Sequence, residues 1–300
     1  MRRARAFSPA GISGLFSAHV EPPDPYRKGA RGAGLALASG VSVTVEVEES
    51  ERAELECYLN GRRAELGLAR RVFERIARRF GLSAPYRVVV RQEVGVPMGG
   101  LGSSGASALA TALALGRALG LSASYIELAR EAHVAEIEEG TGLGTVSGLV
   151  VGGAVAVVRP GAPGYDSVVR LVADPDVRVV VGFFAPISKR DALSRVDLAR
   201  VNELGMRALA DLLREPTLER FLESSKRFAA RAGFMTERVR RAVEAAEEAG
   251  AMGASQAMIG ETAFAVAAED RAERVAEAMR RLGARVLVTE ISWSPARVVP

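Results

Sequence analysis

The residues best suited to chemistry stand in one loop, Pro97-Met-Gly-Gly-Leu-Gly-Ser-Ser-Gly-Ala-Ser107. Glycine carries no side chain to keep an anion away from backbone N–H groups. The Ala/Leu-rich run from Ala106 to Leu119 predicts a helix directly behind the loop. A helix start holds unpaired N–H groups and the positive end of a dipole, so loop and helix together would cradle a phosphate. Ser103 and Ser104 add hydroxyls that can bond phosphate or Mg²⁺. The competing reading is a plain strand–turn–helix connection built from small residues. Two serines among four glycines at a helix start make that the minority reading.

Known nucleotide motifs narrow the choice. Gly100-x-Gly102-x-x-Gly105 has the form of a dinucleotide fingerprint. That fold requires a second strand ending in an acid after the helix. Here Ser122 predicts the N-cap of another helix, running to about Glu138. No Gly-Lys-[Ser/Thr] occurs, which removes the Walker loop, and neither His-Arg-Asp nor Asp-Phe-Gly occurs, which removes the protein-kinase set.

Glycines also cluster at 29–34, 140–144 and 250–260. Arg31 sits in the first cluster, where a surface charge and a cation for an anionic ligand are comparable readings. Glu136 precedes the second. Beside Glu138 and Glu139, its residue context alone favours a solvated helix carboxylate. His133 lies one turn earlier on the same predicted helix, and packing outweighs ligation for it.

The patterning outlines the scaffold. Val41, Val43, Val45 and Val47 alternate with polar residues, as in a half-buried strand. Leu68, Val72, Phe73, Ile76 and Phe80 recur at helical spacing up to Gly81. Strands are expected at 86–91, 152–158, 177–184, 262–267 and 284–290, and helices at 191–213, 217–230, 235–249 and 270–282. Gly161-Ala-Pro-Gly164 reads as a linker. The order suggests an α+β sandwich in two parts, 1–162 and 163–300.

Composition excludes other classes. One cysteine, Cys57, forbids an internal disulfide and iron–sulfur ligation and fits a reducing cytoplasm. Two histidines leave little for a metal centre, and no apolar run reaches the roughly 20 residues of a membrane span. The basic start is broken by Ser8-Pro9-Ala10-Gly11, unlike a secretion signal. Of 40 basic residues only three are lysines, and the net charge of +4 is shared evenly by both halves. With 5% aromatics there are few stacking platforms, so no nucleic-acid partner is expected.

Three segments carry a resemblance. Pro97-x-x-x-Gly-Leu-Gly-Ser-Ser-Gly-Ala resembles the second motif of the GHMP kinases. Phe7-Ser-Pro-Ala-Gly-Ile-Ser-Gly-Leu-Phe16 is similar to their substrate-side motif, and Gly250 to Gly260 to their C-terminal glycine motif. Within that family, Gly29-Ala-Arg-Gly-Ala-Gly34, Ala132-His-Val-Ala-Glu136 with Gly140-Thr-Gly-Leu-Gly144, and Ala254-Ser-Gln-Ala-Met-Ile-Gly260 resemble the archaeal pantoate kinase branch.

The resemblance implies an N-terminal domain like ribosomal protein S5 and a ferredoxin-like C-terminal domain. It implies ATP and Mg²⁺, pantoate as acceptor, phosphorylation of its 4-hydroxyl in coenzyme A synthesis, and a homodimer as a common assembly. Mevalonate, homoserine and shikimate are alternative acceptors, and a nucleotide-binding regulator is an alternative class. The phosphates would lie on Pro97, Gly99, Gly100, Leu101, Gly102, Ser103, Ser104 and Gly105. Ser104 and Glu136 would hold Mg²⁺. Arg31 would take the acceptor carboxylate, with Ser8, Ser13 and Ser255 also on the acceptor side. Two departures stand out: Thr145 occupies the place of the usual catalytic Asp, and Gly11 that of a His. The catalytic set is therefore expected to be Ser104, Glu136 and Thr145, with transfer driven by positioning and no dedicated base.

Overall fold

Period-two alternation builds the first layer. β1 (Arg2–His19) and β2 (Gly29–Glu49) form a long antiparallel hairpin, joined through a short turn at Pro25–Arg27 that Asp24 caps. Val41, Val43, Val45 and Val47 point from β2 into a core against helices, as their spacing predicts. The computed structural model describes residues 1–82, 84–186 and 196–300.

Beyond the hairpin come β3 (Glu54–Leu59), β4 (Arg62–Arg63), α1 (Gly67–Arg79) and β5 (Tyr86–Val94). Helices α2 (Ser103–Leu119), α3 (Tyr125–Glu138) and α4 (Thr145–Val151) follow, then β6 (Ala154–Arg159) and β7 (Ser167–Leu171). The last strand, β12 (Arg297–Val299), returns to this sheet, whose main path is β12-β1-β2-β5-β3-β4. β2 changes partners along its length: Val41–Glu49 pair with β5, and Gly32–Leu35 with β6.

The second layer is antiparallel, in the order β11 (Arg285–Glu290), β8 (Val177–Ala185), β10 (Glu261–Ala268), β9 (Gly253–Gln256). Its helices are α5 (Leu198–Arg214), α6 (Leu218–Arg231), α7 (Glu237–Glu248) and α8 (Glu269–Arg281). Ala263, Ala265 and Ala267 face the core that holds Val239 and Val243 of α7 and Val275 and Met279 of α8. Phe264 and Val266, on the opposite face, join Phe221 of α6 and Ile12, Leu35 and Leu37 of the hairpin. The two sheets thus share a central core.

The α+β class holds, with three corrections. The N-cap of α3 is Ser124, not Ser122, because Glu127 completes a reciprocal capping box with it. The expected linker is a packed turn: Ala162 is fully buried and its N–H donates to the Tyr26 carbonyl at 2.8 Å. The 162/163 division therefore falls between β6 and β7, which pair with each other. Of the helix expected at 191–213, residues 191–195 lie outside the described residues, and the helix observed starts later, at Leu198, with Asp197 as its N-cap. Among the described residues, no helix is long and apolar enough to cross a membrane.

Candidate active site

β5 delivers the chain to Gly95, whose N–H donates to the Gly40 carbonyl at 2.9 Å. The loop then turns through Gly100 at φ +77° and Gly102 at φ +58°, left-handed conformations that favour glycine. Gly102 stands at the cap of α2 with no side chain capping it, so the first N–H groups of the helix stay open to a ligand. Leu101 is fully buried and plugs the central core, while its carbonyl accepts from Gly11 N–H at 3.0 Å. Thr262 Oγ1 donates to the Gly99 carbonyl at 2.9 Å, and Met258 N–H to the Ser13 carbonyl at 2.8 Å. A Cβ on Gly260 would come within 3.0 Å of the Gly100 nitrogen. Three glycine-bearing stretches far apart in the chain therefore form one wall.

Behind the loop, Ser104 Oγ donates to Glu136 Oε1 at 2.7 Å. Glu136 is buried, and two glycines make room for its carboxylate. A Cβ on Gly142 would stand 2.6 Å from Oε1, and one on Gly105 2.9 Å from Oε2. A hydroxyl and a carboxylate beside an open helix start form an oxygen donor set that suits Mg²⁺. Glu138 and Glu139 point elsewhere. Glu138 pairs with Arg75 at 2.7 Å and Glu139 with Arg71 at 3.0 Å, both across to α1.

On the other side, one hollow is lined by Arg31 and Gly144 together with Gly11, Ser13 and Thr145. Gly11, Ser13 and Thr145 also line the hollow over Gly99, Gly100, Gly102, Ser103 and Ser104, so the two meet at those residues. Arg31 Nε is buried and has no hydrogen-bond partner. Among the described residues, no ion pair engages Arg31.

Residues 67–153 match the family model for the GHMP kinases N terminal domain, and residues 208–285 that for the GHMP kinases C terminal. Over 269 residues the chain is 31% identical to the pantoate kinase of Methanocaldococcus jannaschii, spanning 89% of this chain and 94% of that one. This chain belongs to the GHMP kinases. The pantoate kinase of Thermococcus kodakarensis is 29% identical to this GHMP kinase, over 95% of its own length and 96% of this chain. A solved phosphotransferase related to the CoA biosynthesis pathway superposes with a TM-score of 0.89 at 26% identity, covering 99% of this chain and 98% of that structure.

Measured against the residues expected from its sequence, this GHMP kinase brings Gly99, Gly100, Gly102, Ser103, Ser104, Ser13 and Thr145 around one hollow. Glu136 lies beneath it, and Arg31 lines the adjoining one. Ser8 is not brought there: it is fully buried in β1, and its hydroxyl donates to the Pro9 carbonyl at 3.1 Å. Ser255 is also fully buried, paired across β9 and β10 with Phe264. Pro97 lines neither hollow, Leu101 offers only backbone, and Gly105 is buried against Thr145 and Glu136. Thr145 opens α4 between the hollows, its methyl carbon against the glycine loop. Sequence reasoning passed over Gly142, which makes room for the carboxylate, and Ile259, which lines the cleft. Their only signals were positions within the second and third glycine clusters.

Proposed function

We propose that this GHMP kinase transfers the γ-phosphoryl group of ATP to the 4-hydroxyl of pantoate, a step of coenzyme A synthesis. The observation that carries the reading is Arg31: a guanidinium with a buried, unpartnered Nε, lining a hollow that joins the glycine loop. A planar guanidinium matches the acceptor's carboxylate with two parallel hydrogen bonds.

Each residue has a part. Backbone N–H groups of 99–105 would bind the phosphates. Ser104 and Glu136 would hold Mg²⁺, which when bound offsets charge on the phosphate oxygens. Ser13, beside the junction, would bond an acceptor hydroxyl. A groove at the root of the loop, lined by Phe7, Ser39, Asn60, Val94 and Gly95, would seat the rest of the nucleotide. Phosphoryl transfer through a loose transition state asks mainly for alignment and charge compensation, with little need for early proton removal. Thr145 in place of an acid fits that chemistry, and the ion pairs of Glu138 and Glu139 remove the nearest substitutes. The division at 162/163 is retained as the domain proposal, since the matched regions 67–153 and 208–285 fall on either side.

A coupled ADP-release assay with pantoate, mevalonate, homoserine and shikimate tests the reading. Turnover is expected with pantoate alone. Turnover on another acceptor, or on none despite measurable ATP binding, would overturn it.

A further inference from the structure

Asn202 of α5 has no part in the chemistry described so far, yet its side chain engages both backbone groups of one distant residue. Its Oδ1 accepts from Ala18 N–H at 2.8 Å, and its Nδ2 donates to the Ala18 carbonyl at 3.1 Å. Along an antiparallel strand, successive residues turn their backbone groups to opposite edges. Those of Ala18 face α5, so those of Ser17 face β2, where Ser17 stands opposite Arg31. Asn202 thus takes the place of a neighbouring strand on the outer edge of β1, the edge that β12 covers at Arg5–Phe7. Phe16 turns the same way as Ala18. Its carbonyl meets Gly205, one turn further along α5, so closely that no Cβ would fit between them. Phe16 and Arg31 line the same hollow. A helix of the second layer is therefore fastened to the strand that holds Arg31 in place.

We propose that Asn202 is a positioning residue for the acceptor: by clamping Ala18 it fixes the backbone pairing of Ser17 with Arg31, and so the place of the guanidinium in its hollow. The inference rests on Arg31 as the cation for the acceptor carboxylate. Without the amide, the Ala18 N–H and carbonyl would face the helix unpaired, and the strand end would move to satisfy them. Coupling of this kind is reciprocal, so a bound acceptor should also tighten the hold of α5 on β1.

Steady-state kinetics on Asn202→Leu and Arg31→Met test it. Asn202→Leu, close in size but without the amide, is expected to raise KM for pantoate about tenfold, with KM for ATP and kcat within about threefold of wild type. A folded Asn202→Leu enzyme with unchanged KM for pantoate, or with both KM values raised alike, overturns the proposal. Arg31→Met with unchanged KM for pantoate overturns the reading beneath it, a separable result. If Asn202→Leu fails to fold, amide hydrogen exchange of the wild-type enzyme decides. Slower exchange at Ala18 on adding pantoate supports the clamp, and exchange that pantoate leaves unchanged there overturns it.

Discussion

Ser104 and Glu136 are held together by one hydrogen bond, and both offer oxygen to the same space. Ser104→Ala and Glu136→Gln should each lower kcat by roughly a hundredfold or more, the scale seen when a preorganised electrostatic partner is removed. A magnesium titration would show the same variants needing more metal. Wild-type kcat in both would sink the assignment. The glycine loop was legible in the sequence because its residue types have few other uses together. Ser8 and Ser13 show where legibility ends. They sit in one strand at odd spacing, and register shifts occur at Pro9/Ala10 and at Ser13/Leu15. Side-chain direction in a strand follows parity until a bulge resets it, so spacing alone could not say which serine reached the cleft.

Helix α3 carries Glu136 and, one turn earlier, the buried His133. His133 Nε2 donates to the Lys28 carbonyl at 2.9 Å, and this anchoring is sensitive to acid. His133 titrates near pH 4 in the fold and near 6.5 when unfolded, so the unfolded chain takes up the proton first. The stability this neutral histidine sustains is whole above about pH 6.5 and declines as pH falls to about 4. Its size is on the order of 3 kcal/mol. Melting curves of wild type and His133→Gln between pH 7 and 4.5 should diverge, the wild type losing more. Equal slopes would refute the prediction. At this scale the elements with strong periodicity, such as α1 and β8, were legible, and α2 was too despite being apolar on nearly every face. The short strands β4, β7 and β12 were not, because two to five residues carry too little alternation to read.

The central core makes the molecule cooperative. Phe264 of β10 is fully buried and stacks on Phe221 of α6 at 6.1 Å, in the core that also takes Ile12 and Leu35 from the hairpin. Phe264→Ala should cost about 3–5 kcal/mol. Calorimetry should show one transition at lower temperature, since the cavity weakens both sheets at once. Two separated transitions would show independent lobes. The surface matches the even charge seen in the sequence: Arg71, Arg87, Arg220 and Arg240 pair with glutamates. Exposed pairs of this kind add at most about 1 kcal/mol each.

The pairing of Arg5 with Val299 joins nearly the first residues to nearly the last. During synthesis β1 is made long before its partner β12, so one of its edges stays open until Arg297–Val299 emerge. An open strand edge invites pairing with other chains. The nascent polypeptide therefore carries an adhesive margin at Arg5–Phe7 until β12 has been made and can pair there.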